Sequence, residues 1–418
     1  MDLTFFFALL GSLLVLAFVA NRLVRYTRVP DVIILMASGV LIGPVLHWVN
    51  PDLFRGAMHG FGSLALILIL FEGGLDLKLR EILQHFGSGF FLCVFSYVLC
   101  SATVAGVCRV VLGISWLDTL LIGAVLGCIS SSIVLPVLQQ ISLRREVRVT
   151  LLVEASLGDA LAVLAVTTLL NISSGGSASP GAVAWTLGSS LVLAVAAGIL
   201  AGMLWSYLLP VLSEERFWHV LTFAAVLLVY SGVHFLHGND LVSVLTFGLT
   251  LSNFSAVRER LHFGPKATSD WFVETPIRGH SSGLAGHPHD AMLSFHGELA
   301  FLLRTFFFVL LGTFVEFAGL RKNIVLALMC FAAILAARVL VVQTGRFAWH
   351  GFSALERELM VWLVPRGLIT AVLGIEVLQA RGNEFGFLPS LAFAVVLLTN
   401  LVLLVGTVRA RKLPVEAV

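Results

Sequence analysis

Two carboxylates lie five positions apart inside one apolar run, Leu152-Val153-Glu154-Ala155-Ser156-Leu157-Gly158-Asp159-Ala160. On a helix, five positions turn by about 140° and advance by ~7.5 Å, so the two side chains cannot share one small site. The arrangement this spacing favours is one carboxylate held in a structural ion pair and the other facing a hydrated cavity. Desolvation favours the protonated form of a buried carboxylate that has no partner. Such a group can hold either a proton or a dehydrated cation. If its empty, charged state cannot cross, exchange of one for the other becomes obligatory. Asp159 is the candidate for that role and Glu154 for the structural one. Ser130, Ser131, Ser132 and Ser156 could add the oxygens a monovalent cation needs.

Three arginines, Arg304, Arg338 and Arg366, also fall inside apolar runs. A charge near the centre of a membrane helix costs ~2.5–3.5 kcal/mol even on lenient scales, so each needs a partner or a watery cavity. Arg338 is the natural partner for the paired carboxylate, by charge and by its place in the chain. Arg366, in Pro365-Arg366-Gly367, is expected to neutralise the partial charges of interrupted helix ends. Arg304 is assigned either an ion pair or a hydrated helix end. Glu72 and Asp76, in Phe71-Glu72-Gly73-Gly74-Leu75-Asp76, are expected to be solvated at a helix end, with a funnel for cations as the alternative. Glu316 and Glu376 are placed at helix ends in the same way.

The elements that must carry these residues are membrane helices. Hydrophobic residues make up 58% of 418 and charged ones 12%, where a soluble domain runs at about 25% charged. Apolar runs predict thirteen spans, near 3–21, 31–49, 61–76, 87–112, 117–139, 150–171, 181–209, 217–236, 240–254, 298–316, 323–346, 356–379 and 387–408. Leu3–Ala20 follows Asp2, with its basic residues after it, which suits a retained first span better than a signal peptide. Alternate loops carry eighteen Lys and Arg residues against five in the loops between them. By the positive-inside rule the N-terminus is outside and the C-terminus cytoplasmic, in the plasma (inner) membrane.

The longest loop, about 255–297, is then cytoplasmic. It holds His262, His280, His287, His289 and His296 and is read as a flexible polar loop, with a metal site or pH sensor as the alternative; His287 and His289 have no companion cysteine or acidic cluster at ligand spacing. The five cysteines sit in apolar stretches and are read as small core residues.

Two spans are interrupted at matching places. Span five contains Gly127-Cys128-Ile129-Ser130-Ser131-Ser132 and then Pro136, and span twelve contains Pro365-Arg366-Gly367. Paired Gly/Pro interruptions in corresponding halves point to a transporter binding site. An offset of seven spans means that the second half enters the membrane from the opposite side. The expected fold is all-α and polytopic: one transmembrane domain over 1–418, made of inverted repeats of six spans. The first repeat covers about 3–171, a linker helix 181–209 and the second repeat 217–408, with discontinuous helices five and twelve crossing.

These motifs resemble the monovalent cation/proton antiporter superfamily, closest to its sodium/proton exchanger branch. Phe71-Glu72-Gly73-Gly74-Leu75 is similar to that family's third-helix pattern, and Glu154 to Asp159 is similar to its Glu-x-x-x-Asn-Asp motif. Carried over, Glu154 pairs with Arg338 while Asp159 carries ion and proton. Pro365-Arg366-Gly367 resembles the arginine-glycine motif of helix twelve. Gly158 stands where the branch usually has Asn or a second Asp, so one proton per cation, electroneutral exchange, is the simplest stoichiometry. Thr-Asp-Pro is missing from helix five, where Ser130-Ser131-Ser132-Ile133-Val134 looks like the pattern of potassium-efflux-type relatives. The resemblance further implies a homodimer with a moving core. With the sequence ending at Val418, it implies no large regulatory domain.

The expected ligands are therefore a monovalent cation, Na⁺ or K⁺, and protons, in a lipid bilayer. No cofactor, no enzymatic role and no nucleic acid are expected, since Walker, GxGxxG, nucleophile-elbow and metal-helix motifs are missing and the net charge is only +2. The alternatives are a cation channel or uniporter, disfavoured because no repeated filter-like loop occurs, and a non-transporting sensor or scaffold on the same fold.

Overall fold

The computed structural model describes residues 4, 8, 11–19, 22, 30–49, 55–76, 79–141, 143–175, 180–212, 217–254, 288–315, 317–345 and 351–409, and every regular element among them is helical. In chain order these are α1 (11–19), α2 (Asp31–Val40), α3 (Arg55–Asp76), α4 (Leu79–Leu112), α5 (Trp116–Gly127), α6 (Ser131–Gln140), α7 (Arg145–Ser173) and α8 (Pro180–Leu212). They continue with α9 (Trp218–Phe235), α10 (Asp240–Ser252), α11 (Pro288–Thr313), α12 (Phe317–Thr344), α13 (Ala354–Trp362), α14 (Leu368–Arg381) and α15 (Leu388–Arg409). α2 runs on as a wider π turn, Leu41–Val45, around Pro44, whose missing N–H breaks the regular ladder. Among the described residues, eight helices are long and apolar enough to cross a membrane, and three shorter ones are apolar.

Most boundaries fall within a few residues of the apolar runs. The two largest differences have one reason. α4 starts at Leu79 and not near 87, and α11 starts at Pro288 and not near 298, so the last ten residues of the expected 255–297 loop are helical. Hydropathy marks the part of a helix that suits lipid, whereas the polar turns that extend it are made by residues compatible with any helix. Proline at the first position of α11 costs nothing there, since its N–H would be unpaired anyway. Residues 255–287, with His262, His280 and His287, lie outside the described residues, as does Glu316.

The chain gathers into two compact units. One comprises Met1–Ser63, His85–Gly176 and Leu302–Val418, and contains every candidate site residue. Small residues let its helix backbones touch: a Cβ on Gly39 would strike the Val309 carbonyl and lie 2.9 Å from the Gly312 Cα, so α2 and α11 meet at a bare glycine pair. The other comprises Leu64–Gln84 and Ser177–Phe301. There α8 lies on α10 through Gly198 and Gly202, where a Cβ would come within 2.7 Å of Thr246 and Thr250 respectively. His296 belongs to this unit, fully buried on α11, with its Nδ1 2.9 Å from the Met292 carbonyl and its ring 5.0 Å from that of Phe71. Glu72 lies within the same unit, facing Gly297.

Candidate functional site

The site is built by two helix breaks and by what becomes of the backbone groups they release. A helix interior pairs each carbonyl with the N–H four residues on, and a break orphans both. α5 ends at Gly127; Cys128 and Ser130 are extended, and α6 starts at Ser131. α13 ends at Trp362 and α14 begins at Leu368. The two breaks meet: the Ser130 N–H donates to the Pro365 carbonyl at 2.9 Å. Gly367 makes this approach possible, because a Cβ there would lie 2.8 Å from both the Ser130 Cβ and the Ile133 Cδ1, and would also strike the Ser130 Oγ.

Two donors withdrawn from the α5 ladder have new acceptors. Ser130 N–H, which would have served the Leu126 carbonyl, goes to Pro365. Ser131 N–H, which would have served Gly127, points at Asp159 Oδ2 at 3.3 Å, and the Ser131 hydroxyl donates to the same oxygen. The two orphaned carbonyls are taken by Arg366, through Nε to Leu126 at 2.9 Å and Nη2 to Gly127 at 3.0 Å; its Nη1 bonds the Val364 carbonyl at 3.2 Å. Arg366 is fully buried. Its own backbone is held from α15, with N–H to Thr399 Oγ1 at 3.0 Å and carbonyl from Asn400 Nδ2 at 2.9 Å. A guanidinium at the C-terminal end of α5 opposes the partial negative charge there.

The other two intramembrane arginines follow the same logic. Past Trp362 the chain turns away, the Val364 N–H going to the Trp362 carbonyl, which orphans the carbonyl of Met360. Arg338 Nε donates to it at 2.7 Å. The rest of the Arg338 fork is bidentate on Glu154, Nη2 to Oε2 at 3.0 Å and Nη1 to Oε1, with Ser96 Oγ 3.2 Å from Nη1. Arg338 is 0% and Glu154 3% exposed, so the pair is dry and fully engaged. Pro136 has no N–H for the Ser132 carbonyl four residues back; Arg304 Nη1 supplies one at 2.8 Å, while its Nη2 pairs with Asp31 Oδ2 at 2.6 Å.

Asp159 differs from the other buried carboxylates. It is 2% exposed, and its Oδ1 has no hydrogen-bond partner among the described residues. Two half-helices and α7 thus leave one acceptor open beside the first turn of α6, whose dipole favours negative charge. Of the serines expected around it, only Ser131 touches it. Ser130 and Ser132 bond each other at 2.9 Å between their hydroxyls, and Ser156 is buried one turn before Asp159 without a bond to it. At Gly158 a Cβ would meet the Ile129 carbonyl at 3.8 Å and Cys93 Sγ at 4.0 Å, ordinary contacts that leave room for a side chain.

Sequence reasoning missed Asp31, Ser96, Thr399 and Asn400. Pro136 did signal that the Ser132 carbonyl needed a donor, but nothing in the sequence says that Arg304 provides it or that Asp31 neutralises Arg304. Glu376 is half-buried on α14, and the Asp76 side chain lies outside what is described.

Comparison with known proteins places this geometry in a lineage. A TM-score of 0.76 over the whole of both chains relates the fold to the sodium proton antiporter MjNhaP1 from Methanocaldococcus jannaschii at pH 8, at 19% identity. The chain is 25% identical over 411 residues to the K(+)/H(+) antiporter NhaP2 of Shewanella sp. (strain MR-4), which takes in 95% of this chain and 65% of that relative. It therefore spans just under two thirds of the length of that relative. It is 22% identical over 389 residues to the Na(+)/H(+) antiporter 1 of Methanocaldococcus jannaschii, covering 91% of this chain and 85% of that one. The model of the family described as sodium/hydrogen exchanger, transmembrane, matches residues 10–410, and this all-helical integral membrane protein belongs to that family.

Proposed function

We propose that the chain is a secondary active antiporter that exchanges a monovalent cation, Na⁺ or K⁺, for H⁺ by alternating access. The observation that carries this is the contrast between the two carboxylates of α7: Glu154 is spent on Arg338, whereas Asp159 keeps an open oxygen at a broken helix. Asp159 binds cation or proton, never both, and the Ser131 hydroxyl and backbone N–H hold its other oxygen in place. Ser130, Ser132 and Ser156, close by and polar, complete the cation's oxygen shell when the site is loaded. With one open carboxylate the exchange is one for one and electroneutral. Arg366 fixes the crossing by occupying the loose end of α5.

The finer architecture is part of the same proposal. Thirteen crossings form two inverted repeats of six around α8, each repeat holding one broken helix. The N-terminus is outside and the C-terminus cytoplasmic, in the plasma (inner) membrane, and the protein works as a homodimer. In support, α5/α6 and α13/α14 each break once, and the breaks bond to each other.

The test is reconstitution in liposomes containing a pH dye. With a proton gradient imposed, Na⁺, K⁺ or Li⁺ is added in turn. At least one should collapse the gradient with the unmutated chain and none with Asp159→Asn. Cation flux that ignores the opposing proton gradient would instead identify a uniporter or channel, and no flux over a wide pH range would identify a sensor or scaffold.

A further inference from the structure

Both broken helices begin with the same local device. α5 opens on Ser115-Trp116-Leu117-Asp118 and α13 on Ser353-Ala354-Leu355-Glu356. In each, the serine hydroxyl caps the helix by accepting the N–H of the acid three residues on, at 3.1 Å for Asp118 and 3.2 Å for Glu356. Each acid is then met by an arginine from the far end of the other half of the crossing. Arg381, the last residue of α14, donates Nη2 to Asp118 Oδ1 at 2.7 Å. Arg144, which follows α6 and caps α7, donates Nε to Glu356 Oε1 at 2.7 Å and also contacts Glu356 Oε2 through Nη2. Each guanidinium lies against a phenyl ring, Arg381 on Phe385 at 5.8 Å and Arg144 on Phe352 at 5.9 Å. Arg144 bonds the Gly351 carbonyl as well, at 2.6 Å.

The start of α5 is thereby tied to the end of α14, and the start of α13 to the turn after α6. These are opposite ends of the crossed pair, related by the exchange of repeats. We propose that the two ion pairs, Asp118–Arg381 and Arg144–Glu356, are permanent clamps that carry the crossed broken helices through the transport cycle as one piece.

Ion pairs near the mouths of a transporter invite a different assignment, as gates that part in turn. A gate at one face is closed when the other is open, so a conformation open to either side would hold one pair and lack the other, and only an occluded one would hold both. Here both pairs are made in the same conformation. The crossing between them also has little slack. Ser130 N–H on Pro365 and Arg366 on Leu126 and Gly127 are short bonds across the break, and a hinge opening at either end would shear them. Capping serine, acid and opposing arginine therefore act as positioning residues: they hold the ends of the helices whose middles hold Ser131 against Asp159.

The inference rests on the antiporter reading and is tested in the same vesicles. Asp118 and Arg381, or Arg144 and Glu356, are replaced together by cysteine. Each pair is then bridged with a bifunctional methanethiosulfonate about as long as the arginine–carboxylate contact. The five native cysteines are buried, and the unmutated chain treated alike is the control. Exchange should be impaired in either unbridged double variant, return on bridging at one or both ends, and fall again on reduction. Arrest of exchange by a bridge at either end, relieved by reduction, would make that pair a gate and overturn the proposal; so would normal exchange in the unbridged variants. Independently, the charge swap Asp118→Arg/Arg381→Asp should restore exchange lost in Asp118→Asn, and failure to restore it in a folded protein also counts against the clamp. Asp159→Asn, run alongside, reports on the antiporter reading alone, because its loss of exchange does not depend on the clamps.

Discussion

Glu154→Gln and Asp159→Asn each remove one buried negative charge from α7, five positions apart, and the structure gives them opposite effects on stability. Removing the Glu154 charge leaves Arg338, 0% exposed, as an uncompensated cation whose remaining partners are the Met360 carbonyl and Ser96. Breaking a buried ion pair from one side costs about 3–5 kcal/mol. Two hydrogen bonds persist and the glutamine oxygen can still accept one, which puts the cost near the lower end, ~3 kcal/mol. With an unfolding entropy of about 2.1 cal/mol/K per residue over 418 residues, that lowers the unfolding midpoint by about 3 °C. Asp159 has no countercharge to orphan, and its Oδ1 is unpaired already. Asparagine keeps an oxygen for Ser131 and sheds the desolvation cost of a carboxylate, so Asp159→Asn should leave the midpoint unchanged or raise it. The assay is size-exclusion chromatography after graded heating of each purified variant in one detergent. Equal losses in the two variants, or no loss in Glu154→Gln, would refute the division of labour between these carboxylates.

Gly367→Ala should abolish or severely slow exchange while the protein stays dimensionally normal on size exclusion. A Cβ at 367 would meet Ser130 and Ile133 Cδ1, and Ser130→Gly removes the closest of these contacts, so it should partly restore the rate, read as gradient collapse in vesicles. Arg304→Met should destabilise by about 3 kcal/mol, since it leaves the Asp31 charge without its countercharge and the Ser132 carbonyl without the Arg304 donor. Adding Asp31→Asn should recover part of that loss, and a thermal double-mutant cycle with no coupling between 31 and 304 would show that the pair is not made in the membrane.

Sequence carried the membrane helices because lipid imposes one strong rule, an apolar run of sufficient length. It carried the breaks because glycine and proline punctuate a helix through their own chemistry, at Gly127, Pro136, Pro365 and Gly367. Glu154 and Arg338 were legible as charges that needed each other. The polar first turns of α4 and α11 were not legible, because hydropathy does not report helix outside lipid. Nor were the acceptors of Arg304 and Arg366. A guanidinium that binds backbone carbonyls leaves no trace in the identity of the residues it binds, so Gly127 and Pro136 mark where carbonyls are freed but not which arginine takes them. Asp31 stands at the edge of the second apolar run with nothing in the sequence to single it out, and only the folded chain brings it to Arg304. The rule that joins all three arginines, that each covers carbonyls orphaned by a break or a proline, needs the breaks to be seen in space.

The central claim is that Asp159 holds a proton or a cation and not both, and proton release on cation binding measures this without vesicles. Purified protein in weakly buffered detergent solution, near the pH where exchange is half-maximal, is titrated with the cation that collapses the gradient. The expected result is a saturable release approaching one proton per chain, lost in Asp159→Asn and kept in variants of the Asp118–Arg381 pair that still fold. Saturable cation binding with no proton released, or undiminished release from Asp159→Asn, would contradict it.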